Sequence, residues 1–189
     1  VVSDRAWGVE AERPRKLWYS KPKVAGIAYE WSSDLVVELP PRAGRALAVV
    51  DLNGSVAALC TGGVWAVTGS GPDNALLSGG FNPPEQVSDT ACTDRGSVVR
   101  TPAGVIFISN GRFAMFGPGG GRVFEQVDAS QLGAVCPVLL RETHEAVWLS
   151  SSGAHMVYNY QVDRWTSWST DTVPALVAAA RDPVSGYVN

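Results

Sequence analysis

The chain has 189 residues, with 15 Lys and Arg against 18 Asp and Glu and a formal net charge of −3 at pH 7. This length suits one ordinary domain or part of a larger one, and 46% hydrophobic with 17% charged residues excludes a disordered protein. The acidic balance disfavours non-specific binding to nucleic acid, because such binding needs many cations against the phosphates.

The sequence has no apolar run near the roughly 18 residues that span a bilayer. It starts Val1-Val2-Ser3, without an initiator Met or a charged leader region. We therefore expect a soluble protein that is a segment of a longer chain.

A group of basic side chains surrounds a short predicted strand at residues 16–20. The group includes all three lysines of the chain and comprises Arg13, Arg15, Lys16, Lys21 and Lys23. Such a run is most often the solvated face of a hairpin, and the alternative is a contact with an acidic partner.

Residues 46–69 predict three antiparallel strands that follow one another as a meander. Apolar and β-branched runs alternate with the turns Asn53-Gly54 and Gly62-Gly63, which suit tight hairpins that need a positive φ. No part of the chain sustains a helical spacing of apolar residues free of Gly and Pro, so we expect helices to be nearly absent.

The longest irregular stretch runs from Ser70 to Thr93, and it contains several Gly and Pro residues. Long loops in compact folds are often functional. The 70–93 loop is therefore the first place where we expect a contact with a partner.

Two further segments each predict four strands separated by turn residues. The strands of the first segment are predicted at 97–101, 105–109, 112–116 and 122–127. Those of the second are predicted near 135–141, 145–150, 154–160 and 164–169.

These strands recur at a nearly constant spacing. When the second strands are aligned by the turn after each, Trp18, Leu59, Phe107 and Trp148 fall in one column, 41, 48 and 41 residues apart. A four-stranded unit that repeats about every 40 to 50 residues is typical of a β-propeller blade. The sequence therefore predicts an all-β fold, a β-propeller of four-stranded antiparallel blades that is an incomplete segment of a larger ring. A β-sandwich is the alternative.

All 189 residues belong to one propeller domain in this interpretation. Its units are predicted at 1–40, 41–90, 91–128 and 129–170, with an unfinished unit at 171–189. The unfinished unit supplies at most two strands, at 173–180 and 187–189. Because a blade with open edges leaves backbone groups unpaired, we expect other sequence or neighbouring copies to complete the ring.

The large aromatic and thiol side chains are interpreted as core. The seven tryptophans mostly lie in predicted strands, where they would fill the space between blades: Trp7, Trp18, Trp31, Trp65, Trp148, Trp165 and Trp168. The three cysteines, Cys60, Cys92 and Cys136, lie outside any metal-binding spacing, so we predict that they are reduced and mainly packed.

The sequence provides no convincing catalytic, cofactor-binding or metal-binding residue. His144 lies in a predicted exposed turn and His155 in a predicted strand, and neither has a second His at metal spacing. The glycines between 117 and 121 lack the helix start and the Lys of a phosphate loop. The Ser-x-Asp-x-Gly-x-x-Trp turn of sialidases is also missing. We therefore predict that the protein is not an enzyme.

Three sequence segments resemble those of a known family. Residues 88–113 contain Cys92, a Ser97-Val98-Val99 strand and a hairpin that begins Gly104-Val105-Ile106-Phe107. Similar phrases are Trp18-Tyr19-Ser20-Lys21-Pro22 and the run from Leu59 to Val67. Together these segments, over about residues 16–169, resemble the β-propeller virion proteins of short-tailed bacteriophages: the tail nozzle, tail-tube and DNA-stabilising tail proteins.

The resemblance implies a structural role with no active site or cofactor. Several copies would surround the tail channel below the portal, extend the conduit for DNA ejection, and hold the portal adaptor or fibres. DNA would pass without sequence-specific binding. The protein would occur in the virion, and in the host cytoplasm during assembly.

Two alternatives remain open. A cellular propeller scaffold of kelch or related repeat type would recruit proteins through its top-face loops, although the marks of WD and kelch repeats are missing. A propeller that binds or hydrolyses glycans is the other, because paired carboxylates can act from any inner strand or loop.

Overall fold

The structure is a computed structural model, and it describes residues 4–52 and 54–169. The chain divides into two compact units, Val1–Thr93 and Asp94–Asn189. The strands predicted at 173–180 and 187–189 lie outside the described residues, as does Asn53 of the first predicted turn.

The part of the first unit that the structure describes forms nine strands in three antiparallel sheets. They are β1 (Trp7–Val9), β2 (Lys16–Tyr19), β3 (Val36–Glu38), β4 (Ala46–Leu52), β5 (Ser55–Cys60), β6 (Gly63–Val67), β7 (Gly71–Pro72), β8 (Gly79–Gly80) and β9 (Glu85–Ser88), with a 3₁₀ turn at Pro41–Ala43. The sheets have the orders β1-β2-β3, β4-β5-β6-β9 and β7-β8.

The described residues of the second unit, 94–169, form eight strands in two four-stranded antiparallel sheets. They are β10 (Asp94–Thr101), β11 (Gly104–Ser109), β12 (Arg112–Gly117), β13 (Gly120–Asp128), β14 (Val135–Leu140), β15 (Glu145–Ser150), β16 (Ala154–Asn159) and β17 (Arg164–Ser169). The sheets are the meanders β10-β11-β12-β13 and β14-β15-β16-β17. All eight strands lie within three residues of their predicted bounds.

The predicted fold class is confirmed. Three sheets have the four antiparallel strands of a propeller blade, and the described part of the chain contains no α-helix. No helix there is long and apolar enough to cross a membrane. The central strands β5 and β11 are buried at nearly every position, whereas the edge strands β13 and β17 are mostly exposed. A central strand buried on both sides explains the continuous apolar runs that the sequence shows.

The predicted Gly62-Gly63 turn joins β5 to β6 and requires glycine twice. A Cβ on Gly62 would lie 2.3 Å from the Arg42 carbonyl oxygen. Gly63 has a φ of 119°, and its Cβ would lie 2.3 Å from the Ser88 carbonyl oxygen. Only a residue without a side chain fits between these backbone segments.

The core of the second unit is aromatic and lies between its two sheets. Trp148 on β15 is fully buried, and its indole Nε1–H donates to the Ser97 carbonyl on β10 at 2.7 Å. Its ring lies 4.7 Å from Phe113 and 5.5 Å from Trp165, measured between ring centroids. The Ser97 hydroxyl accepts the Ile108 N–H at 2.8 Å. One tryptophan thus joins the two sheets by ring packing and by a buried hydrogen bond.

We expect Trp148→Phe to lower the free energy of unfolding by about 1–3 kcal/mol, since the Ser97 carbonyl would lose its buried donor. Trp31→Phe is the matched control: Trp31 is 51% exposed, so the change there should stay within about 0.5 kcal/mol. Urea unfolding followed by circular dichroism measures both. Equal losses for the two variants would contradict the role assigned to Trp148.

A charged network joins the same two sheets at their outer strands. Arg122 on β13 donates to both carboxylate oxygens of Asp163, at 2.8 and 2.9 Å, and to the Tyr158 hydroxyl at 2.9 Å. The Tyr158 hydroxyl donates to Asp163 at 2.7 Å. Hydrogen bonds from Arg122 and then from Tyr158 lower the pKa of Asp163. Burial and, as the second cause, the hydrogen bond to Asp163 raise the pKa of the Tyr158 hydroxyl to about 12.

This network predicts a pH dependence of stability at acid pH. Because the folded pKa of Asp163 is lowered, its contribution is complete above the unfolded pKa of about 3.9 and is lost as the pH falls through the folded value. The Arg122 and Asp163 side chains are 44% and 55% exposed, so we expect Asp163→Asn to cost less than about 1 kcal/mol at pH 7.

The difference between wild type and Asp163→Asn should shrink as the pH falls below about 4. Thermal unfolding measured from pH 7 to pH 2.5 or so tests this expectation. Asp34→Asn, in an exposed loop, is the control and should show no such convergence. A constant difference at every pH would show that the Asp163 carboxylate is not the group that matters.

The three thiols do not share one environment. Cys60 and Cys92 are buried and Cys136 is exposed, and none of the three forms a disulfide. The prediction that all are mainly packed is therefore wrong for Cys136, because β14 is an edge strand and not all of its residues are covered. Burial raises the pKa of the Cys60 thiol to about 12, and Cys92 adds to that shift.

We expect a thiol reagent to titrate one cysteine quickly in the native protein at pH 8 or so and all three in denaturant, since a buried thiol with a raised pKa forms little thiolate. Cys136→Ser should remove the fast reaction and leave two thiols in denaturant. A fast native reaction that survives this substitution, or fewer than three wild-type thiols in denaturant, would contradict the assignment.

Candidate protein-binding surface

The two histidines have structural contacts. His144 lies in the exposed turn before β15, with a φ of 59° and its ring 5.7 Å from that of Tyr160. His155 is buried, and its Nδ1 accepts the Ser150 N–H at 3.0 Å. Within residues 4–52 and 54–169, no three His, Cys, Asp or Glu side chains lie close enough together to hold a metal ion.

Exposed apolar side chains collect instead on two connections of the first unit. Residues 20–35 join β2 to β3, and residues 73–78 join β7 to β8. Five of the nine large exposed apolar side chains among the described residues belong to these connections: Val24 (46% exposed), Ile27 (49%), Trp31 (51%), Leu76 (44%) and Leu77 (86%). Apolar side chains gathered in this way mark interaction sites more often than isolated ones do.

The two connections share a cavity of about 210 Å³. Asn74 of the second connection lines it, together with residues of the first: Lys21, Pro22, Val24, Ile27, Ala28 and Glu30. We call the five exposed apolar side chains and this cavity the two-loop surface.

Asp73 organises the loop that carries Leu77. Its backbone N–H donates to the Ser78 carbonyl at 2.9 Å, and its carboxylate accepts the Leu77 N–H at 2.9 Å and the Ser78 hydroxyl at 2.7 Å. The hydrogen bond from the Ser78 hydroxyl and, as the second cause, the hydrogen bond from the Leu77 N–H lower the pKa of the Asp73 carboxyl. Leu76 has a φ of 60°, in a region that leucine rarely adopts. A strained backbone held by hydrogen bonds thus presents Leu77 to solvent, and strain of this kind concentrates at functional sites.

Arg5 anchors both connections at their bases. It is 1% exposed, and its guanidinium donates to the Ser20 carbonyl at 2.9 Å and to the Pro72 carbonyl. The guanidinium lies over the rings of Tyr19 and Phe81, at 5.5 and 5.7 Å from their centroids. Ser20 begins one connection and Pro72 ends the strand before the other, so one buried cation fixes both.

Three of the five basic side chains at 13–23 make contacts within the first unit. Lys21 pairs with Glu30 at 3.0 Å, and Lys23 donates to the Ile27 carbonyl and lies over the Tyr29 ring. These two lysines therefore hold the 20–35 connection in shape. Arg15 lies 3.8 Å from Glu38.

The sequence singled out one part of the two-loop surface and missed the other. The 70–93 stretch, predicted as one irregular loop, contains β7, β8 and β9, and the leucines exposed within it are Leu76 and Leu77. The 20–35 connection was missed, and Trp31, interpreted as core, lies there outside any strand. The sequence did contain a signal for the 20–35 connection. Val24, Ile27 and Trp31 lie among turn residues and do not alternate with polar residues as they would in a strand.

Solved structures, but no family model or curated protein, are similar to the chain. Among solved structures, the chain is similar to BamB from Moraxella catarrhalis, with 18% sequence identity and a TM-score of 0.45, over 85% of this chain and 47% of that one. The chain thus spans about half the length of the structure that it matches.

Proposed function

We propose that the chain is a structural segment of a β-propeller that binds other protein chains and carries no catalytic centre. The observation that carries this proposal is the two-loop surface, in which a hydrogen-bonded and anchored loop holds Leu77 86% exposed. Keeping a leucine in water is unfavourable for the isolated chain, and a protein partner would remove that cost.

The proposed partner at this surface is a second copy of the chain. The surface has both a projection, Leu77, and a cavity, and Asn74 of the same loop borders that cavity. In a two-fold dimer the same patch meets itself, so each copy can insert its Leu77 into the cavity of the other. The charged groups at the cavity, Lys21 and Glu30, already pair within one copy, so the contact buries no unpaired charge.

The exposed area is sufficient for a weak dimer. The five apolar side chains offer on the order of 500 Å² per copy, and a two-fold contact then buries about 1,000 Å², near the lower limit of specific interfaces. Association should therefore depend on concentration, and it should be sensitive to the removal of one central side chain.

Two narrower roles agree with a binding segment of this kind. A component of a bacteriophage tail conduit is supported by the resemblance of residues 88–113 to tail-propeller blades. A cellular propeller scaffold is supported by the two-loop surface alone. Electron microscopy of the assembled protein separates them, because only the conduit role requires a closed ring of copies around a channel.

Leu77→Asp tests the proposed contact. We expect the sedimentation coefficient of the wild type to rise across the micromolar range of concentration, and that of Leu77→Asp to stay at the monomer value, since the cavity would receive a carboxylate. Val162→Asp is the control: Val162 is 60% exposed in the turn before β17, and this variant should associate like the wild type. A monomeric wild type, or a Leu77→Asp variant that still associates, would overturn the proposed contact.

A further inference from the structure

Among the described residues, the β1-β2-β3 sheet has three strands, one fewer than each of the other three main sheets. β3 forms its edge, and no described residue pairs with the outer side of β3. In the second unit, β13 pairs with the third strand, β12, as the fourth strand of its sheet. The pairing runs from Gly117 opposite Gly120 to Arg112 opposite Asp128. Within residues 4–52 and 54–169, the first sheet has a third strand without a fourth.

Two hydrogen bonds define the orientation of the β3 backbone. The Tyr19 N–H donates to the Leu35 carbonyl at 3.1 Å, and the Leu39 N–H donates to the Arg15 carbonyl at 2.8 Å. The backbone N–H and C=O groups of residues 35 and 39 therefore point toward β2. Because the direction alternates along an antiparallel strand, residue 37 faces β2 as well.

Val36 and Glu38 then direct their backbone groups away from β2. Their two N–H donors and two carbonyl acceptors lie along the open edge, and none bonds to any residue that the structure describes. Val36 is half-buried and Glu38 is exposed. An edge of this kind is a template for an added strand.

A cavity of about 460 Å³ lies at the end of this edge. Four prolines form most of its wall, and the lining residues are Arg15, Glu38, Leu39, Pro40, Pro41, Pro83 and Pro84. Proline has no backbone N–H, so this wall suits an apolar side chain rather than a polar one. The volume is within the range of pockets that hold ligand groups of aromatic size, roughly 300–1,000 Å³.

We propose that β3 binds an extended segment of another protein as a fourth antiparallel strand, with an apolar side chain of that segment in the proline-walled cavity. Backbone hydrogen bonds to Val36 and Glu38 supply affinity that does not depend on sequence, and the cavity supplies specificity. The site shares no residue with the two-loop surface, so it stands independently of the dimer contact.

The chain itself indicates the chemistry of such a segment. β13 is the fourth strand of its sheet, and its Phe124 packs against Tyr158 and Trp165 of the neighbouring sheet, at 5.4 and 5.1 Å between centroids. A fourth strand beside β3 would present a side chain to the cavity, whose four proline rings suit an apolar or aromatic group. Pairing between two copies of β3 is disfavoured, because Pro40 and Pro41 follow the strand and leave a short common edge.

The probe is a labelled synthetic peptide with the β13 sequence, Gly-Gly-Arg-Val-Phe-Glu-Gln-Val-Asp. We expect saturable binding by fluorescence anisotropy, together with slower hydrogen exchange at the amides of Val36 and Glu38. Val36→Pro removes an outward N–H without touching a bond to β2 and should weaken binding at least about tenfold. Val36→Thr keeps that N–H and should bind within about twofold of the wild type.

Pro84→Asp places a carboxylate at the cavity and should also weaken the binding of the peptide, even if Val36→Pro were to fold poorly by circular dichroism. Leu77→Asp should bind the peptide normally, which separates this site from the dimer contact. Three results would overturn the proposal: no saturable binding, equal binding by wild type and Pro84→Asp, or amides of Val36 and Glu38 that are protected before peptide is added.

Discussion

A β-sheet leaves a row of backbone donors and acceptors along each edge, and these groups need water or a partner. In the second unit the outer strands β13 and β17 expose much of their length, and Arg122, Tyr158 and Asp163 join the two sheets near them. In the first unit, β3 is short and followed by two prolines. The chain thus completes three sheets with a fourth strand and leaves the outer groups of β3 unpaired within the described residues.

The loops of the first unit depend on buried interactions made far from their tips. Arg5 ties the bases of both connections to one place through carbonyl oxygens, between aromatic rings. Asp73 then fixes the last turn, so that Leu77 is held in one position rather than free to fold back onto the sheet. Such order before binding reduces the entropy lost on association, which is what a small binding surface requires.

The strands at 46–67 and 94–169 were predictable from sequence because their signals are local, whereas β7, β8 and β9 lie in the 70–93 stretch that was predicted to be irregular. Turn residues such as Gly62-Gly63 and Asn110-Gly111 interrupt runs of Val, Ile and aromatic residues, and the positive φ angles at Gly63 and Gly111 follow from the same chemistry. The binding surface was less predictable. The exposure of Leu77 depends on Asp73 and Arg5, and that of Trp31 on the path of a loop between distant strands. Cys136 shows the same limit, since its strand was predicted correctly but its exposure depends on which strands form the edge.

The central claim is that Leu77 of one copy enters the cavity of a second copy, and a disulfide between copies tests it most directly. In a Cys136→Ser background, a copy with Leu77→Cys is mixed with a copy carrying Ile27→Cys under mild oxidation, with Val162→Cys as the control partner. The account predicts a rapid linked dimer for the Leu77→Cys and Ile27→Cys mixture and little for the control mixture. Equal linkage in both mixtures, or none in either, would contradict it.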